Sequence, residues 1–188
     1  MVENFNKEIE AKFLDIDKSK VISLLKDLRA DDLGESLLKE VIFYDKDLNW
    51  IKESKFIRIR TFDDKSVVSF KDHKEKTVDG TIEIEFKTDE PEQVEVFLEK
   101  TGLVAFRHQE KYRHSFLLDN VKIDIDTWPK IPTYVELEGD SEKDLKAVAY
   151  KLGFDWADAV FENAGLVIEN RYGVKVLSMK WFTFDRIE

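Results

Sequence analysis

The chain has 188 residues, with 40 acids against 30 bases and a net charge of −10. That balance argues against general nucleic-acid or anionic-membrane binding, and any polyanion held here needs the bases gathered in one place. The absence of cysteine excludes disulfides, thiolate catalysis and Cys-based zinc sites.

In chain order, Glu8-Ile9-Glu10-Ala11-Lys12 opens the first predicted strand. Alternate side chains of a strand point to opposite faces, so Glu8, Glu10 and Lys12 share one face and Ile9, Ala11 and Phe13 the other. Ser19 to Arg29 carries Val21, Leu24, Leu25 and Leu28 at helical spacing, with Asp17 or Ser19 as N-cap. Glu40 to Tyr44 reads as a strand and Asp45 to Ser54 as a polar connection. The Arg58-Ile59-Arg60 strand turns through Asp63-Asp64 into the strand ending at Lys71. His73 to Gly80 is a charged loop, and Glu83-Ile84-Glu85-Phe86-Lys87 nearly repeats the opening. Pro91 to Lys100 is a helix, ended by Gly102. Asp119-Asn120 joins the Lys111-Tyr112-Arg113 strand to Lys122-Ile123-Asp124-Ile125-Asp126 as a tight hairpin. Glu136-Leu137-Glu138 is the last acidic strand. Ser141 begins a helix, Trp156 to Tyr172 reads as another, and Val174 to Phe184 is an apolar tail able to pack as a strand or cover.

Four acidic doublets (8/10, 83/85, 124/126, 136/138) and two basic ones (58/60, 111/113) thus lie on six separate strands. An antiparallel strand normally shows a polar face to water, but solvent faces avoid like charges two residues apart. A barrel whose interior binds cations and a polyanion explains both the doubling and the two signs. The fold expected is α+β: a closed antiparallel β-barrel with helices packed outside. A single domain over 1–188 is expected, with a core at about 7–140 and a helical segment at about 141–188.

The ordered set EIEAK, RIR, SFK, EIEF, KYR, DIDTWP and VELEG resembles the CYTH superfamily, the triphosphate tunnel metalloenzymes. The resemblance runs from about Lys7 to Gly153. It implies that the barrel is an eight-stranded antiparallel tunnel holding a triphosphate and a divalent cation, Mg²⁺ or Mn²⁺. On the matching positions it implies that Glu8, Glu10, Asp126, Glu136 and Glu138 hold metal. Lys12, Arg58, Arg60, Lys71, Lys111 and Arg113 cradle the phosphates, and Lys12, Glu8 and Glu10 serve the reaction. Glu83, Glu85 and Asp124 are further acidic positions of less definite role; Lys87 and Lys122 join the cradle or balance acids. His73, His108 and His114 show no ligand spacing, and Trp50, Trp128, Trp156 and Trp181 read as packing residues. No P-loop motif is present.

The expected activity is metal-dependent hydrolysis of inorganic, nucleoside or thiamine triphosphate. The same residues equally suit a class IV adenylyl cyclase, which converts ATP to cyclic AMP and pyrophosphate, or a polyphosphate-binding module without turnover. No apolar leader and no ~20-residue apolar run appears, so a cytoplasmic location is expected. A homodimer through an exposed strand or the aromatic tail is left open.

Overall fold

The computed structural model describes residues 6–188; residues 1–5 of the expected domain lie outside it. The chain runs β1 (Asn6–Glu8), β2 (Glu10–Phe13), α1 (Lys18–Asp27), β3 (Asp31–Asp45), α2 (Asn49–Lys52), β4 (Lys55–Phe62), β5 (Lys65–His73) and β6 (Thr81–Thr88). It continues through α3 (Pro91–Lys100), β7 (Leu103–Leu118), β8 (Val121–Thr127), β9 (Tyr134–Glu138), α4 (Glu142–Lys151), α5 (Ala164–Tyr172) and β10 (Trp181–Phe182). The strands form one sheet in the order β1-β6-β5-β4-β3-β7-β8-β9-β2, antiparallel at every step.

The sheet has ten strands among the described residues, and hydrogen bonds do not close it into the expected eight-stranded barrel. Its two ends, β1 and β2, are consecutive in the chain with Ile9 between them. The backbone there pairs elsewhere: Glu10 N donates to Val78 O (3.0 Å), and Ile9 O accepts from Gly139 N (3.2 Å). The chain itself, not a ladder, joins the two ends.

Helices cover the apolar face, as the alternation requires. Val21 and Leu25 of α1 and Leu145, Val148 and Ala149 of α4 pack on Ala11, Phe13, Ile123, Ile125, Val135 and Leu137. Leu98 of α3 packs on Phe43, Ile59 and Val68. Asp17 caps α1 by accepting from Lys20 N (3.0 Å), and Ser141 caps α4 by accepting from Asp144 N (3.2 Å). The β7–β8 turn has Asp119 and Asn120 at φ 51° and 62°, the left-handed pair a two-residue hairpin needs.

Two local expectations change, and the tail takes one of its two expected forms. The helix expected over 156–172 is confined to α5, preceded by a single 3-10 turn at Trp156–Asp158. Val160 is drawn into an extended bridge with Lys12, with both N···O distances 2.9 Å, and Asn163 then caps α5. β3 runs well past Glu40–Tyr44 in the N-terminal direction because the long β7 offers it a partner out to Leu117. The tail forms β10, parallel to β7 at His108 and Gln109, with the Trp181 ring stacked 4.3 Å from His108.

Candidate functional site

Residues paired across a ladder point to the same side of the sheet. Arg107, Ile42, Arg58, Ser69 and Glu85 therefore form one row facing inward, and Lys12, Glu136 and Asp124 another. The inward side encloses a cavity of ≈ 250 Å³. Glu8, Glu10, Lys12, Arg58, Arg60, Lys71, Glu83, Glu85, Lys111, Arg113, Glu136 and Glu138 all line it. A more open cavity of ≈ 750 Å³ shares Glu8, Glu83, Glu85, Lys122 and Glu138 with it, so the acidic side opens to solvent near the β1–β2 junction. Asn163, Leu166 and Leu177 of the C-terminal segment also line the first cavity.

Asp124 and Asp126 lie behind this lining. Asp126 is fully buried, and its two oxygens accept from Lys111 Nζ (2.6 Å) and from Arg113 Nε and an Arg113 terminal nitrogen (2.7 Å each). Asp124 pairs with Arg113 (2.5 Å) and Lys122 (2.9 Å) and accepts from Ser115 (2.6 Å). The two aspartates orient the cations in front of them. Lys87 is exposed and outside the cavity lining.

The remaining charges interlock. Lys71 Nζ donates to both oxygens of Glu8 (2.6 and 2.7 Å) and lies 3.4 Å from Glu83. Lys12, 1% exposed, bridges Glu10 (2.8 Å) and Glu136 (3.2 Å). Burial opposes the charge of Lys12, but Glu10 and Glu136 outweigh it and raise its pKa. Burial raises the Glu10 carboxyl too, aided by Glu136 and Glu8 and opposed by Lys12. Glu138 is raised by burial and by the nearby Glu8 and Glu136. Glu136 goes the other way: burial is overcome by Lys12 and Arg113, which hold it well below the usual carboxylate range. Burial, with Arg113 alongside, lowers Lys111 to about 8.

Several lining residues escaped the sequence reading. Glu40, 3% exposed, takes Arg60 Nε at 2.7 Å and Gln109 Nε2 at 2.6 Å, with Arg58 at 3.6 Å. Its strand neighbours on the same face, Ile42 and Tyr44, are apolar, so it formed no doublet. Arg107 and Gln109 continue the inward alternation of Lys111 and Arg113, a signal readable as one residue in every two along β7. His73 lies two residues beyond Lys71 on the same face; its Nδ1 is 2.7 Å from Thr81 Oγ1, and its buried Nε2 has no partner. Burial, then the charges of Lys71 and Lys12, depress its pKa to about 3, so it is a neutral ring at neutral pH. Trp50 lines the cavity as well. Trp128 packs as expected, donating to Tyr134 Oη (2.9 Å) beneath Lys111, whose Nζ lies 4.8 Å from the ring centre.

Among the described residues no three carboxylate or histidine side chains form a ready-made metal cage. A hard divalent cation of the Mg²⁺ class needs less, since it is commonly held by one or two carboxylates plus substrate phosphates and water. Glu8, Glu10, Glu136 and Glu138 supply the right donor, carboxylate oxygen, on one cavity wall. Burial, and then Glu8 and Glu136, raise both Glu10 and Glu138, an electrostatic environment that a cation relieves. Those four line the cavity and fit; Asp126 lies outside the lining, with its oxygens on Lys111 and Arg113.

The CYTH domain family matches residues 6–156 of the chain. Solved structures share its fold. A Pyrococcus horikoshii OT3 protein aligns with TM-score 0.71 at 22% identity, covering 83% of this chain and 96% of its own. A putative adenylate cyclase from Vibrio parahaemolyticus aligns with TM-score 0.75 at 13% identity, covering 87% and 98%. A putative adenylyl cyclase from Hippeastrum, described as revealing a dominant triphosphatase activity, aligns with TM-score 0.62 at 18% identity, covering 88% and 96%. No curated protein matches the sequence. No described helix is long and apolar enough to cross a membrane.

Proposed function

The chain belongs to the CYTH domain family, and from that premise we propose that it is a divalent-metal-dependent phosphohydrolase acting on a triphosphate-containing substrate held in the charged cavity. The observation that carries this reading is the convergence of six cations, Lys12, Arg58, Arg60, Lys71, Lys111 and Arg113, on one cavity whose wall also bears the carboxylates of Glu8, Glu10, Glu136 and Glu138.

Every one of those cations is held by a carboxylate: Lys12 by Glu10, Lys71 by Glu8, Arg58 and Arg60 by Glu40, Lys111 and Arg113 by Asp126. These pairs hold the site in a charged, preorganised form. A phosphate chain is a better acceptor for the cations than the acids are, because guanidinium forks bind its oxygens bidentately and ammonium groups add compact charge. On entry it takes Lys71 from Glu8 and Lys12 from Glu10, which frees both carboxylates to hold the cation. Glu136 and Glu138 complete the acidic wall. When bound, Mg²⁺ or Mn²⁺ supplies Lewis acidity to the phosphate oxygens. Arg58, Arg60, Lys111 and Arg113 keep the chain in line and take up charge on the departing phosphate, which is most of what phosphoryl transfer asks of a protein. Asp124 and Asp126 act as positioning residues for Arg113 and Lys111.

Product analysis tests this. Phosphate release from a triphosphate, dependent on Mg²⁺ or Mn²⁺, is expected. Cyclic AMP with pyrophosphate from ATP would replace the reading by a cyclase, and metal-independent binding without product would replace it by a binding module.

A further inference from the structure

Arg107 is the first residue of β7 to line the cavity. The register with β3 shifts between Ile42 and Phe43, leaving Phe106 as a bulge, so Ala105 packs outward against α3 instead of inward. Arg107 is 4% exposed and lines the cavity, yet no carboxylate of the described residues pairs with it, unlike the six cations of the phosphate cradle. Its bonds go to uncharged acceptors: Nε to Gln109 Oε1 (2.7 Å), one terminal nitrogen to Val176 O (3.2 Å), the other to Tyr44 Oη (3.3 Å). A guanidinium has five N–H groups, so about two donors remain free. A buried cation without a counter-charge is costly unless a ligand completes it.

The surroundings define that ligand. Ile42, Tyr44, Leu166, Ile168, Val176 and Leu177 line this part of the cavity, a mostly apolar wall. Phosphate oxygens other than those on Arg107 would face carbon there, at the cost of losing their water. An organic group with one polar edge fits instead. Val176 lies beyond the region that matches the family, so the feature depends on this chain's C-terminal segment.

Building on the triphosphatase reading, we propose that Arg107 recognises the organic part of a triphosphate ester by donating to a carbonyl oxygen seated against the apolar wall, so that among nucleoside triphosphates the protein selects keto bases. Arginine is the side chain that donates bidentately to the O6/N7 edge of guanine, whereas adenine presents an amino donor at the corresponding position.

The test compares GTP, UTP, ATP and inorganic triphosphate on the full chain by calorimetry and by steady-state kinetics, in wild type, Arg107→Met and Arg107→Lys. GTP and UTP are expected to bind about tenfold or more tightly than ATP and inorganic triphosphate, the discrimination of one good arginine–base pair. Arg107→Met should collapse that ratio to about one, and Arg107→Lys should restore part of it. Equal wild-type affinity for ATP and GTP overturns the proposal, as does a ratio that survives in Arg107→Met. Equal weakening of all four ligands in that variant overturns it in favour of a structural role. Calorimetry keeps the two readings separable. Tight, Arg107-dependent GTP binding without any product defeats the hydrolase reading alone, and turnover with no base preference defeats the Arg107 assignment alone.

Discussion

Glu40 sits between Arg58 and Arg60 and shows how closely single residues set the state of this cavity. Burial works against its charge, but Arg60 and Arg58 hold its pKa below the ordinary 4.5. A carboxyl with a depressed folded pKa contributes stability that is present above pH 4.5 and lost as pH falls below it. Glu40→Gln should therefore cost about 3 kcal/mol at neutral pH by leaving the buried Arg60 guanidinium without a counter-charge. It should also flatten the loss of stability below pH 4.5; urea titrations across pH read both effects. Lys111 has the opposite sign. Its folded pKa of about 8 lies below the ordinary 10.5, so the unfolded chain holds the extra proton between these values and stability rises with pH across that window. The cradle meanwhile loses a charge, so triphosphate affinity should weaken above about pH 8. Lys111→Arg, always charged, should remove that alkaline limb in binding isotherms recorded against pH. Glu8→Gln and Glu10→Gln should each abolish metal-dependent turnover while triphosphate binding without metal persists; full activity in both would remove these residues from the metal site.

At the scale of elements, the fold was legible wherever the strand period and the caps agreed. The doublets placed β2, β4, β6, β7, β8 and β9, and Ser141 and Gly102 marked a helix start and a helix end that the structure keeps. Ser141→Ala should cost about 1 kcal/mol, seen as a lower urea midpoint with unchanged slope. What was not legible arises from tertiary pairing. The segment around Val160 has helical spacing but is pulled straight by its bridge to Lys12, and of the two forms open to the tail the strand follows from the partner that β7 offers at His108 and Gln109. The same holds for the site. Paired charges at i and i+2 gave ten of its lining residues, whereas Glu40 and Arg107 are isolated along their own strands, with apolar or neutral residues two positions away, and take their meaning from partners more than 15 residues away. Asp126 shows the reverse: the family resemblance implied a ligand, but only the fold reveals that Lys111 and Arg113 occupy both its oxygens.

As a whole molecule the protein is acidic outside and balanced inside. A net charge of −10 would repel a triphosphate from most of its surface, so capture depends on the bases that the sheet turns inward. The absence of hydrogen bonds between β1 and β2 places the acidic mouth at the junction where the ladder stops, and α5 and the following turn stand at the apolar wall. The two sides match a ligand with a metal-binding, polyanionic part and a carbon-rich part. Because such a ligand binds only the folded chain, saturating triphosphate with metal at 100 times its Kd should add about 2.7 kcal/mol of stability, visible as a raised Tm. The most direct measurement is product analysis of the purified full chain with GTP, ATP and inorganic triphosphate, each with Mg²⁺, with Mn²⁺ and with chelator. The account predicts phosphate release in the presence of either metal, none with chelator, and no cyclic nucleotide. Cyclic nucleotide with pyrophosphate, or undiminished release in chelator, would contradict it.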